Sequence, residues 1–277
     1  MNKKNRSYLA SLFVVIISLF PSQSKRLWKK WYDFLASHDD VNDFNFMNYG
    51  FFDEEYELTL LASDEKNRFQ IQLYDHVLSG LDLSDKSLLE AGSGRGGGLD
   101  YLSRYKNLQQ LSGVDLSTIA IKKCRTLFPS DKISFINASA DKIPQESQTV
   151  DIVLNVESSH CYPDMQAFVN ETWRLLKPGG YFAICDIRNG SGIDEMESSF
   201  KRCGYTVVKK DIISDNVLQA LEKMSDARMK ISDKVPAVLR KAFIDFAGVE
   251  SSSVYDMLKD NKLQYVSYLL KKEKTWE

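Results

Sequence analysis

A loop that alternates glycine with other residues is the part of this sequence best suited to hold a ligand. Glu90 is followed at every second position by a glycine, at Gly92, Gly94 and Gly96. The loop follows a short apolar run, and its glycines allow a tight turn and close approach of the backbone to a nucleotide. Comparable loops bind dinucleotides, but an acidic residue two positions before the first glycine favours S-adenosylmethionine, whose amino-acid end would face the Glu90 carboxylate.

Two later positions are candidates for binding the rest of that cofactor. Asp115 ends the second apolar run, about 20 residues beyond the loop, where a carboxylate can accept hydrogen bonds from both ribose hydroxyls. Ser139 and Ala140 end the third run and would border the adenine. Proteins with this loop commonly carry an acidic residue at the position of Ser139, so a backbone amide or Asp141 is an alternative adenine contact.

The densest cluster of reactive side chains follows the fourth apolar run, from Asn155 to Tyr162. Methyl transfer from a sulfonium needs alignment and, for an alcohol, removal of a proton. His160 fits the base, because an ordinary pKa of about 6.5 leaves roughly half or more of a histidine neutral at working pH. The alternative is a histidine that only shapes the pocket. Glu157 is an alternative candidate for the base. It could equally bind the cofactor's amino group or orient His160. Asn155 is expected to contact the cofactor.

These side chains need a scaffold that brings strand ends to one edge. From Ser87 onward, short apolar runs alternate with helical patterns, which is typical of a parallel sheet with helices on both faces. The sequence therefore predicts a single α/β domain of the Rossmann-like, class I methyltransferase type, with a mostly parallel seven-stranded sheet. The predicted strands are Ser87–Glu90, Leu111–Asp115, Ile133–Ala138, Val150–Asn155, Tyr181–Asp186, Tyr205–Asp211 and Gln264–Leu270.

Capping residues indicate where the helices begin and end. The pair Ser63-Asp64 is predicted to cap a helix before the first strand, and Ser117 to cap the helix after the second strand. Pro163 is placed in the first turn of a further helix, which Pro178-Gly179-Gly180 would end. Two more helices are predicted near 193–202 and through 217–241.

Composition limits the remaining functions. The chain has 277 residues and a net charge of −2, so no basic surface for nucleic acid is indicated. Its four cysteines are scattered and it has only three histidines, so neither a disulfide framework nor a metal site is predicted. A small molecule or lipid is the expected acceptor, and the sequence leaves the oligomeric state open.

Residues 1–38 differ from the rest of the chain. Met1–Arg6 is basic, Leu9–Phe20 is largely apolar, and basic residues are then interleaved with tryptophan and tyrosine. The apolar run is shorter than the roughly 20 residues that cross a bilayer. We therefore expect a cytoplasmic protein whose residues 8–32 contact a membrane surface, or else a helix packed over the domain's own pocket. Residues 39–277 would form the catalytic domain, with an aromatic lid at 39–60.

Several motifs outside the loop are similar to one known family. The segments that carry the similarity are Phe46–Gly50, Ala62–Phe69, Ile71–Tyr74, Arg95–Gly98 and Asn155–Tyr162. From about Asn48 to about Lys271 the chain resembles the phthiotriol/phenolphthiotriol dimycocerosates methyltransferase family. The resemblance implies metal-free O-methylation, by S-adenosylmethionine, of a hydroxyl on a long, lipid-like acceptor. It also implies that Asn48 and Tyr49 lie over the cofactor, with Gln72 near its amino-acid end.

The apolar N-terminal run and Ser139 depart from that family, and other interpretations stay open. One is carbon methylation of a sterol-, quinone- or fatty-acyl-like acceptor, and another is a non-catalytic protein that binds S-adenosylmethionine or lipid. A dehydrogenase of similar fold is a third, against which the position of Glu90 argues. Segments 44–56 and 213–246 are expected to supply apolar walls for a lipid.

Overall fold

The computed structural model describes residues 45–232, 240, 244–245, 247–250 and 252–273. Its strands are β1 (Lys86–Ala91), β2 (Leu108–Asp115), β3 (Ile133–Asn137), β4 (Val150–Val156), β5 (Leu176–Arg188), β6 (Thr206–Ile212) and β7 (Gln264–Lys271). Within the described residues they form one seven-stranded sheet in the order β3-β2-β1-β4-β5-β7-β6. Strands β1 to β5 are parallel, and β7 lies antiparallel between β5 and β6. The predicted class I α/β fold is confirmed.

Helices cover both faces of this sheet, and the strands alternate between two hydrophobic cores. Leu88 of β1 belongs to one core cluster and the next residue, Leu89, to the other. This alternation follows from the two-residue period of a strand, and it explains why the central strands β1 and β4 contain continuous apolar runs. The helices are α1 (Arg68–Val77), α2 (Gly97–Tyr105), α3 (Thr118–Leu127), α4 (Met165–Leu175), α5 (Gly190–Cys203), α6 (Ser214–Ser232) and α7 (Ser253–Lys259).

Of the predicted helix caps, Ser117 is confirmed and Asp64 is not. Ser117 caps α3, because its hydroxyl accepts a hydrogen bond from the Ala120 amide at 3.1 Å. Asp64 does not cap a helix. Its carboxylate instead accepts from the Arg104 guanidinium and the Tyr105 hydroxyl, each at 2.6 Å, and a short 3-10 turn leads into α1. The Asp64 side chain thus forms an ion pair with Arg104, which is distant in sequence, instead of capping the helix next to it.

Two other boundaries were predicted wrongly. Pro163 precedes α4, and the residue that caps this helix is Asp164, whose carboxylate accepts from the Ala167 amide at 2.8 Å. The sequence Pro178-Gly179-Gly180, expected to end the helix, lies inside the early part of β5. Helix α7 was not predicted.

The described part of the expected lid, 45–60, begins with a buried segment, 45–52, that runs between α1 and α6. The Phe51 amide donates to the carbonyl of Phe69 at 2.9 Å, and the Phe52 amide to that of Asn216 at 3.1 Å. Tyr49 and Phe51 are only 7% and 3% exposed, so the segment is part of the core. It therefore lies over the sheet without forming a helix or strand of its own.

The N-terminal extension, 1–38, and lid residues 39–44 lie outside the described residues. The contact with a membrane surface through residues 8–32 thus stays a prediction. In the part of the chain that the structure describes, no helix combines the length and apolar character needed to cross a bilayer.

Candidate active site

The glycine loop lies where β1 meets α2, and its conformation requires glycine. Gly92, Gly94 and Gly96 have φ values of +77°, +51° and +80°. L-residues with side chains rarely adopt this left-handed region. A methyl group at Gly92 would also overlap Ser158 and Tyr162, which lie across the groove. The loop therefore has the tight turn and close contacts predicted from its spacing.

Glu90 is completely buried at the end of β1 beside this loop. One carboxylate oxygen accepts a 2.6 Å hydrogen bond from the Tyr74 hydroxyl, and the other has no partner among the described residues. Burial raises the pKa of Glu90 to about 8, with a smaller contribution from Asp115, against the opposing effect of the Tyr74 bond. A buried carboxylate in this state is poised to receive a cationic donor.

Asn155 is the penultimate residue of β4, one position beyond the Leu154 that pairs with Glu90, and it is likewise completely buried. Its amide nitrogen donates to the Ala91 carbonyl at 2.8 Å and to the Ser158 hydroxyl at 2.7 Å. Its amide oxygen finds no partner within the described chain. Neighbouring strands thus each carry one such acceptor, but because Glu90 pairs with Leu154, the side chains of Glu90 and Asn155 leave opposite faces of the sheet.

Asp115 is half-buried at the end of β2. Its two carboxylate oxygens accept from the backbone amides of Ser117 at 2.8 Å and Gly94 at 2.9 Å. A carboxylate oxygen can accept more than one hydrogen bond, which is the property that contact with ribose hydroxyls requires. Ser139 and Ala140 follow β3, which pairs with β2 up to Asp115, so they continue the same edge.

These groups fit S-adenosylmethionine. The Glu90 oxygen that has no partner among the described residues suits its ammonium group, and Asp115 suits its ribose hydroxyls. Ser139 and Ala140 lie on the side where the adenine would extend. In the described residues there is no group of three or more side chains able to hold a metal ion.

Asn48 and Gln72, both buried, make contacts that the resemblance did not anticipate. The Asn48 side chain accepts from the Gly50 amide at 2.9 Å and donates to the Gln70 carbonyl at 3.4 Å, which shapes its own segment. Gln72 donates to the Tyr56 carbonyl at 3.4 Å and keeps an amide oxygen without a partner among the described residues.

His160 is oriented by Asp186, at the carboxyl edge of the sheet. His160 Nδ1 lies 2.7 Å from Asp186 Oδ1, and the imidazole is about a quarter exposed, whereas the Asp186 side chain is completely buried. The other Asp186 oxygen accepts from the His160 amide at 2.8 Å and from the Ser159 hydroxyl. The Asp186 carboxylate therefore fixes the orientation of the ring through Nδ1.

The charges around this pair favour the imidazolium form. Burial alone would lower the pKa of His160, but Cys161 and Asp186 outweigh it, and the pKa lies well above its usual value. Burial would likewise raise the pKa of Asp186, yet Arg188 and His160 hold it far below the usual range. His160 is thus a stronger base than an ordinary histidine and carries a proton up to higher pH.

Glu157 follows β4 with a left-handed φ of +48°. One of its carboxylate oxygens accepts from the Tyr49 amide at 2.7 Å and from the Tyr265 hydroxyl at 2.8 Å. Burial raises the pKa of Glu157 to about 7, although both hydrogen bonds oppose this shift. Glu157 therefore joins the lid segment to β7, and the carboxylate that orients His160 is Asp186.

Sequence reasoning missed Asp186, Tyr74 and Arg228. Asp186 was detectable, because it ends a predicted strand at the same edge as Asp115. Tyr74 and Arg228 lie in α1 and α6, and no local pattern signals their partners across the fold.

Gly98 offers a test of this geometry. A methyl group there would lie 2.1 Å from two ring atoms of Tyr74, the residue that binds Glu90. We expect Gly98→Ala to lower the free energy of unfolding by about 1–3 kcal/mol through overpacking, and to weaken cofactor binding. Thermal denaturation and calorimetry measure the two effects. Gly190→Ala is the matched control, because no atom outside its own helix lies within 4 Å of the added methyl. Equal effects of the two substitutions would contradict the role of Tyr74 in holding Glu90.

Comparison with known proteins agrees with the geometry. The methyltransferase domain family matches residues 89–184. The chain is 17% identical to geranyl diphosphate C-methyltransferase from Streptomyces coelicolor A3(2), solved with S-adenosyl-L-homocysteine. The TM-score is 0.65 over 90% of this chain and 98% of that one, which shows a shared fold.

Two relatives are closer in sequence. The chain is 34% identical over 228 residues to the fatty-acid O-methyltransferase of Mycolicibacterium smegmatis, covering 82% of this chain and 83% of the relative. It is 32% identical over 254 residues to the phthiotriol/phenolphthiotriol dimycocerosates methyltransferase of Mycobacterium leprae, covering 91% of this chain and 94% of the relative. With that identity and coverage, the chain belongs to the phthiotriol/phenolphthiotriol dimycocerosates methyltransferase family and is an S-adenosylmethionine-dependent methyltransferase.

Proposed function

We propose that this enzyme methylates a hydroxyl oxygen of a lipid-like or hydrophobic small molecule. The observation that carries the proposal is the His160–Asp186 pair, a base oriented by a buried carboxylate at the edge of the sheet beside the glycine loop. The two relatives, named for phthiotriol dimycocerosates and for fatty acids, support a lipid-like acceptor.

Each residue has a definite task in this mechanism. S-adenosylmethionine supplies a methyl group already activated on a sulfonium. Glu90 would hold its ammonium group and Asp115 its ribose. Asn155 would contact the cofactor from β4, and Ser139 and Ala140 would border the adenine. Asp186 would hold the imidazole of His160 so that Nε2 accepts the hydroxyl proton as the acceptor oxygen bonds to the methyl carbon. The carbon–sulfur bond would break in the same step, with its electron pair returning to sulfur and the neutral thioether S-adenosylhomocysteine leaving.

The described lid residues enclose the reaction. Segment 45–52 places buried Phe46, Tyr49 and Phe51 over the sheet, and with α6 it would provide an apolar wall for an acyl chain. Exclusion of water there would strengthen the charged contacts of the site. Asn48 and Tyr49 act in this proposal as lid residues rather than as direct ligands of the cofactor.

Carbon methylation is the second candidate function. The observation in its favour is that the Glu157 carboxylate accepts a hydrogen bond from the Tyr265 hydroxyl and another from the backbone amide of Tyr49. Aromatic rings and a carboxylate of this kind can stabilise the cation that forms when an alkene is methylated. In that case His160 would not be needed to remove a hydroxyl proton.

Isotope labelling distinguishes the two reactions. Purified full-length protein would be incubated with deuteromethyl-labelled S-adenosylmethionine and separate pools of fatty alcohols, fatty acids, sterols and isoprenoid lipids. We expect labelled methyl ethers or esters, recognised by mass spectrometry and by release of the label on ether or ester cleavage. Label retained on carbon would support the second candidate and contradict the first, and cofactor binding without any labelled product from these pools would contradict both.

A further inference from the structure

One peptide group in the lid segment lies between two side chains of opposite charge. The carbonyl of Asn48 accepts a hydrogen bond from the Arg228 guanidinium at 2.9 Å. The amide of Tyr49, which belongs to the same peptide group, donates to the Glu157 carboxylate at 2.7 Å. Arg228 comes from α6 and Glu157 from the loop after β4, so the peptide connects two distant elements.

Burial makes this arrangement unusual. Arg228 is only 3% exposed, and its described hydrogen bonds go to neutral carbonyls, those of Asn48 and Ala247. The guanidinium also lies 5.7 Å from the centre of the Tyr49 ring, and its charge is favoured by Glu157. A buried cation is costly unless a negative charge or strong acceptor compensates it.

The peptide group supplies that compensation. A hydrogen bond is stronger when one partner is charged, and bonds in a chain polarise one another. Here a cation acts on the carbonyl and an anion on the amide, and both polarise the peptide in the same direction. Moving segment 45–52 away would break both bonds at once and leave the buried Arg228 guanidinium and the half-buried Glu157 carboxylate without them.

We propose that the Asn48–Tyr49 peptide is a latch, in which a peptide-bridged Arg228–Glu157 ion pair holds segment 45–52 closed over the active site. Arg228 is then a positioning residue for methyl transfer, and Glu157 acts in lid closure rather than as a base. This inference rests on the proposed function to the extent that segment 45–52 is taken as the lid of that site.

Hydrogen exchange of peptides spanning 45–52 measures the latch without any turnover. We expect Arg228→Met and Glu157→Gln each to raise the opening equilibrium of the Tyr49 amide by about 10- to 100-fold, the range for a hydrogen bond to a charged group. The double variant should open less than the product of the two single effects, because neither charge is then left without its counterpart. Arg228→Lys, which keeps the charge, should lie between wild type and Arg228→Met.

Lys223→Met is the matched control. Lys223 is an exposed cation of the same helix, 4.1 Å from the centre of the Phe52 ring in the same segment, and it does not touch the peptide. In Lys223→Met, hydrogen exchange at the Tyr49 amide should change less than about twofold, because Lys223 makes only a surface contact. Unchanged exchange in Arg228→Met, fully multiplicative effects in the double variant, or an equal effect of Lys223→Met would each overturn the latch.

Steady-state kinetics separate this result from the proposed reaction. The latch predicts that Arg228→Lys raises the KM for S-adenosylmethionine more than it lowers kcat, because the closed state is less populated while the His160–Asp186 pair is untouched. A fall in kcat alone would contradict the latch. Faster hydrogen exchange at the Tyr49 amide in the Arg228 and Glu157 variants, together with an absence of O-methyl product, would support the latch and contradict only the proposed function.

Discussion

Replacing His160 by alanine is expected to lower kcat by about 10²- to 10⁴-fold, the usual contribution of a positioned general base. The reason is that Nε2 is the proton acceptor in the proposed reaction, and Asp186 orients it from 2.7 Å on the other side of the ring. Affinity for S-adenosylmethionine should change little, because the groups that suit the cofactor lie on β1, β2 and β4. Single-turnover rates and calorimetric titration measure the two quantities on the same preparation.

The pH profile makes this prediction more specific. Since the pKa of His160 is raised well above 6.5, the neutral imidazole accumulates only at higher pH, and kcat should rise with pH through that raised value. Asp186→Asn removes a charge that favours the imidazolium. The pKa should therefore fall, moving the rising limb to lower pH, while the plateau drops because the base is weaker and less well oriented.

Two results would argue against His160 as the base. One is an unaltered rate across pH in His160→Ala, and the other is a rising limb that stays at the same pH in Asp186→Asn. The pH at which kcat rises in Asp186→Asn does not depend on how much the rate falls. A merely structural effect of the substitution would lower the rate without shifting this pH.

Glu90→Gln is expected to weaken S-adenosylmethionine binding by about 10- to 100-fold, as for loss of a hydrogen bond between charged groups. The partnerless oxygen of Glu90 is a completely buried acceptor beside the loop, and glutamine keeps an oxygen for Tyr74 but not the negative charge. Equilibrium titration of the cofactor measures the loss. Unchanged affinity would show that the ammonium group binds elsewhere.

The same substitution should stabilise the protein without cofactor at alkaline pH. The pKa of Glu90 is about 8 in the folded state, compared with about 4.3 in an unfolded chain. Its contribution to stability is thus complete below about pH 4 and is lost as pH rises through 8, where a charge must be buried. At pH 9 we expect Glu90→Gln to unfold at a temperature higher than wild type by several degrees, with a smaller difference at pH 6.

Glu195→Gln is a suitable control for both effects, since Glu195 is exposed on α5. Neither cofactor affinity nor the pH dependence of unfolding should respond to it. A Glu90→Gln variant that is less stable than wild type at every pH would mean that burial of the charge is not the dominant cost at this site.

The sequence alone was sufficient for the fold and for the cofactor loop. The alternation of strands and helices predicted a mostly parallel sheet. Its central strands were recognisable because they are buried on both faces and bounded by turn residues, whereas β6 is largely exposed. Glu90, the three loop glycines and Asp115 lie at strand ends or in the tight turn where the sequence placed them, because neighbouring residues encode those positions. Their contacts with the cofactor stay predictions.

Tertiary structure decided the contacts between distant segments. Asp64 lost its predicted capping role to an ion pair with Arg104, 40 residues away. The partner of His160 is Asp186, 26 residues later, and the amide that Glu157 binds belongs to Tyr49, 108 residues earlier. Arg228 reaches the Asn48 carbonyl across 180 residues. No local pattern encodes such pairs. They form only when the sheet brings its strand ends and the covering segment to one edge. The tertiary structure therefore decides which charged groups are buried together at that edge.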